Sequence, residues 1–427
     1  MRRGLFQAAA PQSARPGIMT PDFPRIRRLP PYVFEEVNRL KARLRGEGVD
    51  IIDFGMGNPD MPTPKHIVQK LIETARDPKS GRYSASKGIP GLRRAMAGYY
   101  ARRFDVKLDP DREVIATLGS KEGFANLAQA VTGPGDVIIC PDPAYPIHAY
   151  GFIIAGGVIR QLPALSPEQY LSGVSQAVRD SSPPPKVLVL SYPSNPTAQW
   201  VDLEFYKDAV ALAKKHDMLV LSDIAYSEIY FDDNPPPSIL QVEGAKDIAV
   251  EVNSLSKTYA MAGWRVGMVV GNDRMCAALA RVKSYLDYGA FTPIQVAAVA
   301  ALNGPQECVD VIRATYKSRR DVLVTAMARA GWNIPTPPAS MFAWAPLPEA
   351  FKDAGSMMFA KLLIEQAGVA VAPGVAFGEH GEGYVRIGLV ENEHRIRQAA
   401  RNVKRLLDQS GQHLSAARES AAREAAR

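Results

Sequence analysis

Short apolar runs rich in β-branched residues alternate with helical patterns between about Glu113 and Gly271. In the stretch Phe205–His216, for example, the apolar residues recur at the spacing of one helix face. Strands that are apolar throughout are buried on both faces, so this alternation predicts an α/β fold with a mostly parallel sheet covered by helices. The seven predicted strands are Val114–Leu118, Val137–Cys140, Val158–Leu162, Val187–Ser191, Met218–Ser222, Ile248–Val252 and Val266–Val270.

A second unit with a different pattern follows from about Gly304. Here a long helix precedes isolated strands and two further helices, and this mixture predicts a smaller α+β domain. Its predicted elements are the helix Gln306–Arg329, a strand near Ser340–Trp344, the helix Ser356–Glu365, the strands Val369–Val371 and Tyr384–Leu389, and the helix Arg395–Leu407.

These patterns divide the chain into five expected regions. A flexible N-terminal arm (residues 1–22) is followed by a segment that packs with the smaller domain (residues 23–60). The sheet forms the large domain (residues 61–303), and the mixed unit forms the small C-terminal domain (residues 304–408). A flexible tail rich in Ala, Arg and Glu (residues 409–427) ends the chain.

Composition adds that the chain is an ordinary globular protein. Its 427 residues are 46% hydrophobic and carry a formal net charge of +7. Six arginines and a single acid fall within the first 30 residues, so most of the excess charge lies in the arm and we expect no nucleic-acid partner. A transit peptide is the alternative interpretation of that arm. The longest apolar runs are far shorter than the roughly 20 residues of a membrane span, so no membrane segment is expected.

Metal chemistry is not indicated by the sequence. The three cysteines lack close spacing and the six histidines show no paired-ligand pattern, so neither a structural zinc nor an iron–sulfur site is expected. Few cysteines in a long chain are typical of a cytoplasmic protein.

The candidate chemistry lies at the carboxyl ends of the predicted strands, where open α/β sheets bind their ligands. Lys257, in the segment Ser254–Gly267, comes just after one of these strands. Burial and neighbouring cations lower the pKa of a lysine and make its amine a nucleophile toward carbonyl groups. Ser254, Ser256 and Arg265 add hydroxyls and a fixed cation, which together suit a phosphate. A solvated turn is the alternative interpretation of the same residues.

Three further strand ends carry polar residues. One apolar strand ends in Asp223, whose carboxylate is costly there unless it pairs with a cation, although a helix N-cap is the alternative. Asn195 lies between two prolines in the rigid loop Ser191–Thr197, which as a plain turn is unremarkable. In Thr117–Gly123 a strand, a small-residue turn and a helix follow one another, and the helix start offers N–H groups to a phosphate, although such turns are common.

Together the four segments describe the binding of one cofactor, pyridoxal 5′-phosphate, through a lysine, an aspartate and a phosphate cup. With these residues the sequence resembles the fold-type I, class I/II aminotransferases, and Ser254–Gly267 matches their lysine signature throughout. The resemblance extends from about Phe23 to Leu407. The stretches especially similar to bacterial glutamate–pyruvate (alanine) aminotransferases are Arg25–Phe34, Asp53–Asp60 and Tyr288–Pro293.

The resemblance implies a role for each matched position. Lys257 is implied to bond covalently to the cofactor, with Asp223 at its ring nitrogen and Tyr226 at its ring oxygen as further catalytic residues. Arg386 is implied to hold the substrate α-carboxylate. Tyr83 is implied to reach the phosphate in a neighbouring subunit. The resemblance therefore also implies a homodimer with shared active sites. The remaining implied positions are Asn195, Tyr145, Ser120, Lys121, Ser254 and Arg265 for the cofactor, and Gly55, Asn195 and Tyr32 for the substrate.

The resemblance also bears on the substrate. Relatives strict for aspartate carry an arginine in the stretch that matches Ser284–Thr292, and this sequence has none there. A small apolar amino acid such as alanine, exchanged with 2-oxoglutarate, is therefore expected. The second carboxylate of glutamate would need a partner such as Lys283, Arg281 or a tyrosine.

Other reaction classes stay open as alternatives. An aspartate or LL-diaminopimelate aminotransferase is the nearest, and a carbon–sulfur lyase on the same fold is less favoured. The effector-binding domain of a transcription regulator needs an attached helix-turn-helix, for which the N-terminal arm is too short. A dehydrogenase is disfavoured because the sequence has no complete glycine fingerprint.

Overall fold

The structure is a computed structural model, and it describes residue 23, residues 27–30 and residues 34–409. The expected N-terminal arm and all but the first residue of the expected tail lie outside these residues. The α-helices of the described part are α1 (Phe34–Gly46), α2 (Lys65–Ala75), α3 (Pro90–Phe104), α4 (Ser120–Val131), α5 (Ile147–Ala155), α6 (Pro167–Arg179), α7 (Leu203–Lys215), α8 (Leu255–Thr258), α9 (Asp273–Leu286), α10 (Thr292–Asn303), α11 (Glu307–Arg329), α12 (Ser356–Ala367) and α13 (Glu393–Asp408). Its strands are β1 (Ile52–Asp53), β2 (Val114–Thr117), β3 (Val137–Asp142), β4 (Val158–Pro163), β5 (Pro185–Ser191), β6 (Leu219–Asp223), β7 (Ala249–Ser254), β8 (Gly267–Gly271), β9 (Phe342–Pro346), β10 (Val369–Ala370), β11 (Ala372–Pro373) and β12 (Tyr384–Gly388).

A seven-stranded sheet forms the centre of the larger part of the molecule. Its strand order is β2-β8-β7-β6-β5-β3-β4, and β8 runs antiparallel to both of its neighbours while the other pairs are parallel. Successive residues of a strand point to opposite faces. In β5, Val187 and Val189 accordingly join one hydrophobic cluster and Leu188 and Leu190 join another. Burial on both faces explains the unbroken apolar runs, and the predicted α/β class with a mostly parallel sheet is confirmed.

All seven predicted strands are present, and each end differs from its prediction by at most two residues. The differences have a common cause at the carboxyl ends. Asp223 and Ser254 were left out of the predicted strands because they are polar, yet both are the last residues of their strands. Asp223 pairs in register with Ser191 of β5, and Ser254 pairs with Gly267 of β8, so the backbone ladder continues through them.

The C-terminal part contains two smaller sheets, one with the order β11-β12-β9 and one with β1 beside β10. The strand predicted at Val369–Val371 is present as β10, which ends one residue earlier. A second strand, β11, was not predicted; β10 pairs with β1 and, after Val371, β11 pairs with β12 of the other sheet. The β1–β10 pair joins residues 52–53 to the C-terminal part, while the domain limits themselves stay a prediction.

Within residues 34–409 no helix is both long and apolar enough to cross a membrane. The longest, α11, has 23 residues but contains Arg319 and Arg320, both buried. Arg319 forms two hydrogen bonds with the carboxylate of Asp60, and Arg320 forms two with that of Asp232.

Candidate active site

A cavity of about 470 Å³ opens at the carboxyl ends of β5, β6 and β7, where residues from both parts of the molecule meet. Of the thirteen positions predicted from the sequence, Tyr32 lies outside the described residues, and all of the other twelve except Tyr83 line it. The eleven are Gly55, Ser120, Lys121, Tyr145, Asn195, Asp223, Tyr226, Ser254, Lys257, Arg265 and Arg386. Lys257 and Asp223 therefore share one cavity, which is the arrangement on which the cofactor prediction depends.

The amine of Lys257 projects from the short helix α8 at the end of β7. Ser254 caps this helix by accepting a hydrogen bond from the Ser256 N–H at 3.1 Å. The Lys257 Nζ donates to the Gly57 carbonyl oxygen at 2.8 Å. Burial, helped by the positive charges of Arg386 and Arg265, lowers the pKa of this amine to about 8. A substantial fraction of the amine is therefore neutral near physiological pH and able to attack a carbonyl carbon.

The Asp223 carboxylate is held rigidly at the end of β6. Its Oδ1 accepts a hydrogen bond from the Ala225 N–H at 3.0 Å, and its Oδ2 lies 2.9 Å from Nε2 of His148. His148, on α5, is fully buried. The sequence analysis missed this histidine. The available signal was its position three residues after Tyr145, which places both side chains at the same end of α5, with their ring centroids 6.0 Å apart.

Arg386 reaches the cavity from β12, and hydrogen bonds and aromatic rings orient its guanidinium. Its Nη1 donates to Asn195 Oδ1 at 2.7 Å, and its Nη2 donates to the Gly55 carbonyl oxygen at 3.1 Å. The guanidinium carbon lies 4.1 Å from the ring centroid of Phe342 and 4.7 Å from that of Phe377. A guanidinium held between two rings keeps its edge for a carboxylate, which it binds with two parallel hydrogen bonds.

The turn before α4 forms a cup for an anion. Gly119, with a φ of +85°, lies so close to Arg265 that a Cβ added to it would be 2.1 Å from a guanidinium nitrogen. Gly267 comes equally close, because its Cβ would lie 2.5 Å from the backbone nitrogen of Ser120. Only glycine fits at these two approaches, which bring a helix N-terminus and an arginine together. That combination suits a phosphate.

Two tyrosines border the rest of the cavity. Burial raises the pKa of Tyr226 far above its ordinary value, and burial together with the negative charge of Asp223 raises that of Tyr145. Both phenols are therefore protonated at neutral pH and able to donate a hydrogen bond. The cavity is also lined by residues that the sequence analysis did not single out, namely Asn38, Met56, Asn58, Phe342 and Phe377.

Tyr83 and Lys283 stand apart from the cavity. Tyr83 is exposed and stacks at a centroid distance of 4.6 Å on Tyr288, which is also exposed. Tyr32 lies outside the described residues. Lys283, considered for the second substrate carboxylate, is wrong for that role. It is fully buried and its Nζ lies 2.9 Å from carboxylate oxygens of both Glu122 and Asp287.

Comparison with known proteins agrees with this geometry. The family model described as aminotransferase class I and II matches residues 49–403. This chain belongs to that family. The aminotransferase is similar to AatC of Rhizobium meliloti (strain 1021), with 64% identity over 90% of this chain and 95% of AatC. It is also similar to the glutamate-pyruvate aminotransferase AlaC of Escherichia coli (strain K12), with 52% identity over 91% of this chain and 94% of AlaC.

The chain is also similar to more distant relatives and to solved structures. An LL-diaminopimelate aminotransferase of Aquifex aeolicus (strain VF5) is 44% identical over 90% of this chain and 98% of its own length. The solved structure of substrate-bound BacF from Bacillus subtilis superposes with a TM-score of 0.86 at 33% identity, covering 91% of this chain and 98% of BacF. Members of this family depend on pyridoxal 5′-phosphate, act on amino acids and 2-oxo acids, and are typically dimeric.

The cavity fits that cofactor. The Gly119–Arg265 cup suits its phosphate, Asp223 lies in the same cavity for its ring nitrogen, and the amine of Lys257 is available for its aldehyde. Among residues 34–409 no group of three or more metal-ligating side chains competes with this interpretation.

Proposed function

We propose that this aminotransferase exchanges the amino group between L-alanine and 2-oxoglutarate, giving pyruvate and L-glutamate. The observation that carries the proposal is the charge of the cavity wall. Of the described lining residues two are arginines, and Arg265 packs on the phosphate cup, which leaves Arg386 for a substrate carboxylate. One such clamp meets the need of alanine, and the second carboxylate of glutamate has the amide donors Asn38 and Asn58 in the same wall. The 52% identity to AlaC supports this choice.

Each proposed role follows from the position of a side chain. When bound, pyridoxal 5′-phosphate supplies an aldehyde that captures amino groups and a ring that withdraws electrons from the substrate Cα. Asp223 holds a proton at the ring nitrogen, which makes that withdrawal effective. Asn195 uses its amide oxygen for Arg386 and its amide N–H for the ring oxygen, where Tyr226 also donates. Lys257 removes the proton from Cα as a general base and returns it as an acid.

Arg386 decides which bond is broken. By gripping the α-carboxylate with two hydrogen bonds it fixes the rotation of the substrate about its N–Cα bond. With the cofactor bound, this orientation would favour deprotonation at Cα over loss of carbon dioxide.

Half-reactions of the purified enzyme test the proposed substrate. The absorbance of the bound cofactor is followed in single turnovers with alanine, glutamate, aspartate and LL-diaminopimelate. We expect conversion with alanine and glutamate, and kcat/KM for aspartate at least about tenfold lower than for alanine, since Ser284–Thr292 lacks the arginine that aspartate-specific relatives carry there. No reaction with alanine contradicts the proposal. Preferential reaction with LL-diaminopimelate supports the alternative of an LL-diaminopimelate aminotransferase, the activity named for relatives with 40–44% identity.

We also propose a homodimer with shared active sites, in which Tyr83 completes the phosphate site of the partner. The support is that Tyr83 and Tyr288 are both exposed and stack on each other, and that Tyr285, Leu286 and Phe291, close to Tyr288 in the chain, are exposed as well. A cytoplasmic location is proposed as well, because all three cysteines are free thiols.

Mixing two inactive variants tests the shared site. Lys257→Ala and Tyr83→Ala enzymes are unfolded together, refolded and assayed. In a hybrid dimer one site carries both lesions and the other is intact, so we expect about a quarter of the wild-type activity per site at equal mixing. Each variant refolded alone is the control. If each subunit's site were complete in itself, the mixture would only average the two controls.

A further inference from the structure

A buried carboxylate outside the catalytic cavity joins the two parts of the molecule. Asp142, the last residue of β3, is 2% exposed. Its Oδ2 lies 2.9 Å from Nδ1 of His380, a half-exposed residue 238 positions further along the chain. Its Oδ1 is buried and has no hydrogen-bond partner in the described part of the chain. A buried carboxylate is costly unless it is paired, so this contact depends on His380.

The segment that carries His380 approaches Asp142 more closely than a side chain would permit. It consists of two helical turns, Gly374–Phe377 and Glu379–Gly381, joined by Gly378. Gly378 has a φ of +132°, and a Cβ added there would lie 1.7 Å from Asp142 Oδ1. The backbone adds a further link, because the Ala144 N–H donates to the Phe377 carbonyl oxygen at 2.8 Å.

Phe377 connects this contact to the substrate site. Its ring centroid lies 4.7 Å from the guanidinium carbon of Arg386, and that of Phe342 lies 4.1 Å from the same atom. Packing on these rings limits hydration of the guanidinium and holds its orientation, both of which strengthen its bond to a carboxylate. A displaced segment would carry Phe377 away from Arg386 and admit water.

We propose that Asp142 and His380 are positioning residues for substrate binding. Their pairing fixes residues 374–381 so that Phe377 packs on Arg386, and it thereby sets the affinity for the α-carboxylate of any amino-acid substrate. The inference rests on the proposed role of Arg386. Because Arg386 grips the carboxylate before and during the reaction, loss of the pair weakens binding of ground state and transition state alike. KM then rises while kcat is retained.

The test compares His380→Ala with His380→Asn in the holoenzyme. An asparagine amide can replace the Nδ1–H donor of histidine, whereas alanine removes it. His394→Ala, which removes an exposed histidine at the start of α13, is the matched control. Steady-state kinetics give kcat and KM for the amino donor. Absorbance titration with 2-methylalanine, which binds but has no α-hydrogen to lose, gives an apparent dissociation constant that does not include Cα deprotonation.

We expect His380→Ala to raise both KM and the 2-methylalanine dissociation constant about five- to tenfold, with kcat within about twofold of wild type. His380→Asn and His394→Ala stay within about twofold in all three values. Asp142→Ala reproduces the His380→Ala effect, and combining the two adds little, because they break the same contact. An unchanged dissociation constant with a lower melting temperature means a merely structural role and overturns the proposal, as does a fall in kcat alone.

Failure of the substrate assignment is separable from failure of this inference. If wild type does not react with alanine, the proposed function fails, and the same variants are measured with whichever donor it accepts. Every amino acid presents an α-carboxylate, so the expected fold-changes are the same.

Discussion

Replacement of Lys257 by alanine is expected to abolish transamination, with turnover reduced by at least about 10⁴-fold. The reason is that one amine serves twice, first as the nucleophile that bonds to the cofactor aldehyde and then as the base at the substrate Cα. In the folded chain its surroundings suit both tasks, since burial lowers its pKa to about 8 and its partner is the neutral Gly57 carbonyl. No other lysine amine replaces it, because Lys121 belongs to the turn of the phosphate cup.

The variant is expected to fold normally. Burial disfavours the charged form of Lys257 and no carboxylate of the described residues forms an ion pair with it, so alanine removes no stabilising ion pair among them. Circular dichroism and the melting temperature check this point, and Lys207→Ala, at an exposed lysine on α7, is the control for loss of a lysine elsewhere. Borohydride reduction of the wild type should place the cofactor on the peptide that contains residue 257. Cofactor recovered on a different peptide, or turnover within tenfold of wild type, rules out the assignment.

The features that sequence reasoning predicted correctly are local ones. A strand apolar on both faces is visible in the run Val187–Leu190, because each of its residues packs against one of the two clusters. Lys257 and Asp223 stood out for a related reason, since a charged residue directly after a buried strand needs a partner or a task. Both the sheet and the residues at its carboxyl edge could therefore be inferred from short segments.

Contacts between distant segments could not be inferred in this way. His148 meets Asp223 across 75 positions, and His380 meets Asp142 across 238. His380 lies in a segment with no motif, and the position of His148 near Tyr145 does not indicate its partner. In both cases only the folded chain brings the carboxylate to the histidine. The pairing of β10 with β1 is a further contact of this kind, because it joins residues 369–370 to residues 52–53.

Lys283 shows how a plausible charge can be misassigned. Its place near the stretch that holds an arginine in aspartate-specific relatives made it a candidate for a substrate carboxylate. In the folded chain Glu122 and Asp287 already occupy its amine. Glu122 also accepts the Leu118 N–H at 2.8 Å, so this buried ion pair supports the phosphate turn instead. Burial, which no single sequence reports, decided between a substrate contact and a structural one.

Asp223→Asn is expected to lower kcat by roughly 10³-fold while the cofactor still binds, the second large effect that we predict. Asparagine has the shape of aspartate, and its amide oxygen can still accept the Ala225 N–H. It lacks the negative charge that keeps a proton on the ring nitrogen, and so electron withdrawal from the substrate Cα is weakened. His148 supports this function of Asp223 indirectly, because its Nε2 holds the second carboxylate oxygen in place.

Single-turnover rates, cofactor affinity and a matched variant separate this effect from a loss of binding. The matched variant is Asp202→Asn. Asp202, like Asp223, accepts a backbone N–H, that of Phe205 at 2.9 Å, and it caps α7. Asp202 is not part of the cavity lining. We expect that control to retain wild-type rates. For Asp223→Asn we expect cofactor affinity to fall far less than the rate of Cα deprotonation, because the covalent bond to Lys257 and the phosphate cup are both intact. Deprotonation within tenfold of wild type would mean that the ring nitrogen needs no anionic partner, and the physical basis of the proposed mechanism would then be wrong at this point.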